Sequence, residues 1–253
     1  MRIKVFILGL GLVLMAFSSP AQSSEKILIA AAADLKFALD SVIAVFNQTD
    51  KRLVQVTYGS SGKLFEQISN SAPFDLFFSA DINYPNLLKE RGFAASEVYP
   101  YGIGRIVLWS RKIDPTKDKM ESLKSTLVRK IAIANPDHAP YGKRAVEAMK
   151  HYKVLDSVKG NLVFGENISQ TAQFVTTGAA DIGIIALSLA LSPTMKRLGG
   201  VYYLIPDTSH QPLLQGAVIT KRANQNHLAV DFLDFVKGST ATEILSYFGF
   251  TKP

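Results

Sequence analysis

The sequence predicts an α/β protein with two lobes, each built on a mostly parallel sheet flanked by helices. Short apolar runs typical of buried strands alternate with segments whose apolar residues recur at helical spacing. This alternation restarts halfway along the chain, which favours two lobes over one. Small or hydroxyl residues stand where strands give way to helices, as at residues 31–34 and 59–62. Helix N-termini carry unpaired N–H groups, so several that converge would bind an anion.

The first half of the chain is predicted to contain three strand-helix units. Asp34 stands where it would cap the first helix, and Gly92 stands where the third helix would end. The predicted strands are residues 26–31, 53–58 and 75–79, and the predicted helices are residues 35–46, 64–68 and 83–91.

The second half repeats the alternation. Prolines and a glycine predict a loop over residues 135–142, directly before a helix. The predicted strands are residues 105–109, 130–134, 162–164, 181–186, 201–205 and 217–220, and the predicted helices are residues 143–152, 169–177 and two within 228–248 that break at Gly238.

The lobes are predicted to be joined by two crossings of the chain. No low-complexity linker separates them, so we place the crossings within extended segments near residues 101–107 and 211–218. Lobe I is then expected to comprise residues 22–104 and 218–253, and lobe II residues 105–217.

Residues 1–21 are predicted to be a cleaved secretory signal. Two basic residues precede an apolar run over residues 5–17, and small residues follow where a signal peptidase would cut. The alternative, a membrane anchor, is less favoured because the run is shorter than the roughly 20 residues that a bilayer requires. The chain has no cysteine, which excludes disulfides and a lipid-modified cysteine. We therefore expect a soluble periplasmic protein.

The composition is that of an ordinary globular protein, with 47% hydrophobic and 19% charged residues. The net charge of +7 arises from Lys and Arg scattered among Asp and Glu. No basic run is interleaved with aromatic residues, which argues against nucleic acid as a partner. A mildly basic surface is compatible with an anionic ligand.

Ser60 and Ser61 are candidates for such a ligand, because they lie between Gly59 and Gly62 where a helix is expected to begin. Serine is also a favoured N-cap residue, so capping alone is an equal alternative from these residues.

Motifs spread over the whole predicted mature chain resemble those of the periplasmic molybdate-binding proteins that supply ABC transporters. The resemblance implies a type II periplasmic binding protein fold with the ligand in the cleft between the lobes. The motifs are AAADL at residues 31–35, GSSGKL at 59–64, DLFFSAD at 75–81, the loop at 135–142, ENI at 166–168, residues 178–188 and YFGF at 247–250.

The resemblance implies that hydroxyls and backbone amides hold molybdate or tungstate, without a cofactor or a cation site. Carried over by position, the ligand-binding residues are Ala33, Asp34, Ser61, Tyr141 and Ile168, the last through its amide. It also implies a monomer that delivers its ligand to an ABC permease in the inner membrane.

Two residues depart from the family pattern. Asp34 stands where some members carry Ser or Asn, and Ala186 where some carry a Tyr. A carboxylate would repel a dianion, so we expect the Asp34 side chain to cap the first helix while its amide, or that of Leu35, faces the ligand. Tyr141 is expected to donate its hydroxyl to the ligand, the alternative being a tyrosine packed on a lobe surface.

Other functions need different residues. Catalysis by Ser61 lacks the Gly-x-Ser-x-Gly elbow and an evident histidine partner. A cation receptor would need clustered His, Asp and Glu, which the predicted loops lack. The main rival is a receptor for sulfate, phosphate or an organic anion. Phosphate stays open because it carries a proton that Asp34 would accept.

Overall fold

The computed structural model describes residues 26–253. The predicted signal sequence lies outside the described residues. The strands are β1 (Lys26–Ala32), β2 (Leu53–Gly59), β3 (Leu76–Ser79), β4 (Tyr99–Gly104), β5 (Ile106–Ser110), β6 (Ile131–Ala134), β7 (Leu162–Gly165), β8 (Ile182–Ala186), β9 (Val201–Leu204) and β10 (Leu213–Ile219). The helices are α1 (Lys36–Thr49), α2 (Ser61–Ser69), α3 (Asn83–Glu90), α4 (Pro115–Asp118), α5 (Pro140–His151), α6 (Leu155–Val158), α7 (Ile168–Thr177), α8 (Leu187–Ala190), α9 (Pro193–Arg197), α10 (His227–Lys237) and α11 (Ser239–Tyr247).

The strands form two five-stranded sheets with the same layout. The first has the order β2-β1-β3-β10-β4, and the second has the order β7-β6-β8-β5-β9. In each sheet the first three strands of this order pair in parallel. The fourth strand pairs antiparallel with the third and with the fifth. Helices flank the strands, so the predicted two-lobed α/β fold is confirmed.

The chain crosses between the sheets twice. The first crossing is short, because only Arg105 separates β4 from β5. The return crossing lies between β9 and β10, and β10 pairs with β3 and β4 along its length. Residues 213–217, expected in lobe II, therefore lie in the first sheet. We use lobe I for the part of the chain built on the first sheet and lobe II for the part built on the second.

Each lobe has an apolar core formed by strand side chains and the inner faces of the helices. In lobe I, Phe46 of α1 and Phe78 of β3 each pack edge-on against Phe232 of α10, with ring centroids 5.1 and 6.4 Å apart. In lobe II, the apolar residues of β5, β6 and β8 are fully buried around Trp109. The continuous apolar runs of these strands are typical of sheets covered on both faces.

Several element boundaries differ from those predicted. α5 begins at Pro140, so residues 140–142 form the first helical turn rather than the end of a loop. Proline is suited to this first position because its fixed φ matches the helix and its missing N–H would have no intrahelical partner. β4 was not predicted as a separate strand. No helix within residues 26–253 has the length and apolar character needed to cross a membrane.

Candidate functional site

A small pocket lies where the carboxyl ends of strands from both lobes meet. Parallel sheets commonly bind ligands at this edge, because the helix N-termini that follow the strands point there. The pocket is lined by Ala32, Ala33, Asp34, Gly59, Ser60, Ser61, Ala80, Ala139, Pro140, Tyr141 and Ile168.

All five residues that the sequence predicted as ligand-binding line this pocket. Ala33, Asp34 and Ser61 come from lobe I, and Tyr141 and Ile168 come from lobe II. Each is buried. The folded chain therefore brings together residues separated by up to 135 positions in the sequence.

The Ser61 side chain is placed to donate a hydrogen bond to a ligand. Its Oγ accepts the N–H of Ala80 at 2.9 Å. A hydroxyl carries one proton and two acceptor sites, so this contact leaves its proton free. Within residues 26–253 no acceptor takes that proton. Neither Ser60 nor Ser61 caps α2 through its side chain, so the capping interpretation is wrong.

The N-terminus of α7 lies at the pocket, where Ile168 is one of the lining residues. The Asn167 side chain caps the helix by accepting the N–H groups of Ser169 and Gln170, both at 3.0 Å. The N–H of Ile168, the first residue of α7, has no partner within the helix. The Ile168 side chain is buried in the apolar core of lobe II. The amide of Ile168 is therefore the group expected to reach a ligand, as predicted from the sequence.

Asp34 lies within a short 3-10 helix, Ala33–Leu35, between β1 and α1. Its side chain caps neither this turn nor α1, so the predicted capping role is wrong. Its Oδ2 instead accepts two hydrogen bonds, from the Tyr141 hydroxyl and from Gln215 Nε2, both at 2.9 Å. Its Oδ1 is buried and has no hydrogen-bond partner among the described residues. Hydrogen bonds to residues distant in the sequence therefore take the place of the predicted helix cap.

Burial raises the pKa of Asp34 from 3.8 to about 6. Loss of hydration disfavours the charged form of a carboxyl group. The hydrogen bonds from Gln215 and Tyr141 lower the pKa, as do the nearby backbone N–H groups of Asp34 and Leu35, but they offset only part of the effect of burial. Asp34 is therefore close to half-protonated near pH 6.

The Tyr141 hydroxyl donates its single proton to Asp34 rather than to the pocket. Its oxygen also accepts from Gln215 Nε2 at 3.2 Å. Burial, followed by the charge of Asp34, raises the pKa of Tyr141 well above its ordinary value. The side chain is 2% exposed, so the alternative of a tyrosine packed on a lobe surface is wrong.

Two residues of this network were missed by the sequence analysis. Gln215 of β10 donates to both Asp34 and Tyr141, and its Oε1 accepts from the Tyr101 hydroxyl of β4 at 2.6 Å. Both side chains are buried. Neither lies in a motif or at a strand-helix junction, so no local signal marks them. Ala186, the other departure from the family pattern, is buried at the end of β8 and does not line the pocket.

Hydrogen bonds join the lobes around the pocket. The Ser169 hydroxyl donates to the carbonyl of Ala33 at 2.8 Å, and the Ser188 hydroxyl donates to the carbonyl of Asp34 at 2.7 Å. The N–H of Gly62 donates to the carbonyl of His138 at 3.0 Å. A Cβ at Gly62 would lie 2.6 Å from that carbonyl oxygen, so glycine permits this close approach.

His138 forms a further contact between the lobes. Its Nδ1 lies 2.8 Å from Ser60 Oγ, and its Nε2 lies 3.5 Å from a carboxylate oxygen of Glu166. Because Ser60 belongs to lobe I and His138 to lobe II, the pair exists only while the lobes are together.

The pocket offers hydrogen-bond donors rather than metal ligands. No group of three or more His, Cys, Asp or Glu side chains within residues 26–253 is arranged to hold a metal ion. A free hydroxyl proton and helix N-terminal N–H groups suit an anion whose oxygens only accept. The Asp34 carboxyl group is the exception in this set.

Comparisons with known proteins agree with this architecture. The family model described as bacterial extracellular solute-binding protein matches residues 27–251. The molybdate-binding protein ModA of Azotobacter vinelandii is 34% identical over 97% of this chain and 96% of its own length. The molybdate-binding protein ModA of Rhodobacter capsulatus is 33% identical over 93% and 92%. The structure of the Azotobacter vinelandii periplasmic molybdate-binding protein superposes with a TM-score of 0.82 at 31% identity, covering 90% of this chain and 99% of that one.

Proposed function

The chain belongs to the bacterial extracellular solute-binding proteins, and we propose that its solute is molybdate, which it captures for import by an ABC transporter. As a solute-binding protein it is not an enzyme. The proposal is supported by relatives and a solved structure named for molybdate binding, which cover nearly the whole chain. It includes tungstate, an oxyanion of the same shape and charge, as a second ligand.

The observation that carries this proposal is that residues of both lobes, among them residues at the N-termini of α2 and α7, line one pocket. Ser61 supplies a hydroxyl proton from lobe I, and the first N–H of α7 at Ile168 comes from lobe II. Each hydrogen bond to a charged ligand contributes on the order of 1.5–3 kcal/mol, so about six such donors would account for tight binding after the costs of ordering and desolvation. Sulfate has the same charge but is smaller, so cavity size would select against it.

We place the protein in the periplasm, after removal of residues 1–21, as a monomer that docks on an inner-membrane permease. Two-lobed receptors commonly close around their ligand by a hinge motion. The hydrogen bonds between Ser169, Ser188 and the carbonyls of Ala33 and Asp34 would form on closure and let a permease distinguish closed from open protein. No cofactor is required for this role.

A second candidate ligand is phosphate, favoured by the carboxyl group of Asp34 in the pocket. Phosphate near neutral pH carries a proton, and the Asp34 carboxylate would accept it. Sulfate and molybdate carry no proton at that pH and gain nothing from an acceptor.

Isothermal titration of the purified protein with molybdate, tungstate, sulfate and phosphate tests these proposals. We expect one site with tight binding of molybdate and tungstate and no measurable heat with sulfate. If phosphate alone bound tightly, phosphate rather than molybdate would be the ligand of this protein. Absence of heat with all four anions would refute the oxyanion-binding function.

Replacing Ser61→Ala tests the role of the free hydroxyl proton. Loss of a hydrogen bond to a charged ligand should weaken molybdate binding by about 10- to 150-fold. Ser110→Ala is a matched control, because Ser110 is also buried and accepts backbone N–H groups, from Lys112 and Ile113, but donates its proton to the carbonyl of Asp181. The control should lower stability and leave molybdate affinity unchanged. Equal affinity for the Ser61 variant and the wild type would remove Ser61 from the site.

A further inference from the structure

The pocket contains a buried carboxyl group that an anion site has no evident use for. Asp34 is 1% exposed, lines the pocket and has no cation as a hydrogen-bond partner. Its Oδ1 is the one oxygen of the group that lacks a partner among the described residues. An ionised carboxylate and an oxyanion repel each other strongly in a buried site, where the charges are poorly screened.

The surrounding hydrogen bonds determine which oxygen of Asp34 can carry a proton. The Tyr101 hydroxyl lies 2.6 Å from Gln215 Oε1 and 3.1 Å from the carbonyl oxygen of Ser79. The shorter contact assigns its single proton to Gln215 Oε1, which orients Nε2 toward Asp34. Tyr141 donates its proton to the same oxygen, Oδ2. With two donors directed at it, Oδ2 acts as an acceptor. A proton on this carboxyl group therefore belongs on Oδ1, the oxygen without a partner.

We propose that Asp34 binds the oxyanion through a proton, so that each dianion is taken up together with one proton from solvent. This inference rests on the proposed function. In the complex, Oδ1–H donates a hydrogen bond to a ligand oxygen, and the carboxyl group becomes one more donor in a pocket of donors. On release of the ligand, the proton returns to solvent.

The groups around Asp34 are suited to this exchange. Tyr101 and Tyr141 are the titratable side chains that face it, from β4 and α5, and burial raises the pKa of both well above the ordinary value. They therefore stay neutral while Asp34 titrates. The other elements that contact Asp34 contribute neutral groups, Gln215 of β10 and the Ser188 hydroxyl of α8. Without ligand, the Asp34 pKa of about 6 leaves the carboxyl group mostly ionised at pH 8.

Calorimetry of molybdate binding in buffers of different ionisation enthalpy measures the proton directly. The dependence of the observed heat on buffer enthalpy should correspond to uptake of about one proton per molybdate at pH 8, falling to roughly half a proton at pH 6. Molybdate affinity should decrease by roughly 50-fold between pH 6 and pH 8 over the same range.

Asp34→Asn is the matched variant, because the amide keeps an acceptor for Tyr141 and Gln215 and offers permanent N–H donors in place of the proton. Its molybdate affinity should be independent of pH from 6 to 8 and, at pH 8, higher than that of the wild type. Subtracting its proton uptake removes contributions from the ligand itself and from the other groups of the protein.

Three results would overturn the inference. Heats at pH 8 that do not depend on the buffer would show that wild-type protein takes up no proton, and this test requires no variant to fold. An equal pH dependence in Asp34→Asn would assign the proton to another group. Tight phosphate binding without proton uptake, and without molybdate binding, would make Asp34 an acceptor instead. Molybdate binding without proton uptake refutes this inference alone, whereas no heat with any anion refutes the proposed function as well.

Discussion

Two buried carboxyl groups lie at opposite ends of β1, and they differ in their hydrogen-bond partners and in whether a cation pairs with them. Asp75 lies near the start of the strand, where its Oδ2 accepts the N–H of Leu28 at 2.8 Å and its Oδ1 pairs with Arg222. Asp34 follows the end of the strand at the pocket, where its side-chain hydrogen-bond donors, Tyr141 and Gln215, are neutral and both contact Oδ2. The two residues are 2% and 1% exposed.

The difference shows that burial alone does not define the role of an acidic residue. Asp75 has both oxygens satisfied and its charge balanced, so it is a structural link between β1, β3 and the segment after β10. Asp34 has a raised pKa and a free oxygen beside the pocket. A charge without a counterion is unfavourable in the folded protein, which makes the group available to a ligand and a proton.

The largest expected effect of this difference is on stability at neutral pH. Because the pKa of Asp34 is raised from 3.8 to about 6 on folding, the folded protein holds the proton more tightly than the unfolded chain. The free energy of unfolding therefore falls as pH rises from about 4 to 6, by up to about 3 kcal/mol, and stays lower above that range. Asp34→Asn should remove this decrease in the free energy of unfolding, because the amide does not ionise.

Urea unfolding of the ligand-free protein at pH 4 and pH 7 measures the effect. Asp34→Asn should be close to the wild type at pH 4 and up to about 3 kcal/mol more stable at pH 7. A variant that is less stable than the wild type by the same amount at both pH values would contradict the role assigned to the charge.

The same substitution at Asp75 should change the free energy of unfolding in the opposite direction. Asp75→Asn removes the ion pair with Arg222 and weakens the hydrogen bond to the buried N–H of Leu28, so it should lower the free energy of unfolding by about 1–3 kcal/mol at pH 7. Arg222 is half exposed, which limits the cost of leaving its charge unpaired.

Asp234→Asn provides the control for this change in urea unfolding. Its pair with Lys237 lies on the exposed face of α10, and such pairs contribute little, so the variant should lie within about 0.5 kcal/mol of the wild type. If Asp75→Asn stabilised the protein as Asp34→Asn is expected to, the two sites would not differ in the way described.

The smallest effect concerns the hydrogen bond from Tyr141, which lowers the pKa of Asp34. Tyr141→Phe should raise that pKa above about 6, by less than about one pH unit for a single neutral hydrogen bond. The pH at which molybdate affinity begins to fall should move upward in the same calorimetric series.

Tyr58→Phe is the matched control, since the Tyr58 hydroxyl also donates to an aspartate, Asp40, at 2.6 Å but lies away from the pocket. Its pH profile for molybdate should equal that of the wild type. If the pH at which molybdate affinity begins to fall moved downward in Tyr141→Phe, the tyrosine would be stabilising the protonated rather than the ionised form of Asp34.

Much of the fold could be predicted because strands and helices leave periodic patterns in the sequence. The strands of β6 and β8 are marked by short apolar runs, and the end of α7 by Gly178, which adopts the left-handed conformation at φ 79°. The start of α5 and the return crossing before β10 were misplaced by a few residues, since proline and extended segments fit several local structures.

The residues predicted to bind the ligand do line the pocket, but the hydrogen bonds that Asp34 and Tyr141 form there were not predicted. The strand-helix junctions by themselves marked only residues 31–34 and 59–62 as places where an anion would bind. The full set of residues that line the pocket, Ile168 included, came from the resemblance to the molybdate-binding proteins. The acceptors of Tyr141 and Asp34 could not be deduced in this way. A helix cap is a local contact, whereas Asp34 is bound by side chains 107 and 181 positions away.

The sequence by itself determined the alternation of elements, the two lobes and two of the segments that supply the pocket, at residues 31–34 and 59–62, because these depend on hydrophobic periodicity and local turn chemistry. Only the tertiary structure decided where each hydrogen-bond donor points and how far the pKa of Asp34 moves. Both depend on packing between distant segments, through Tyr101, Tyr141 and Gln215, and on the loss of hydration that this packing produces.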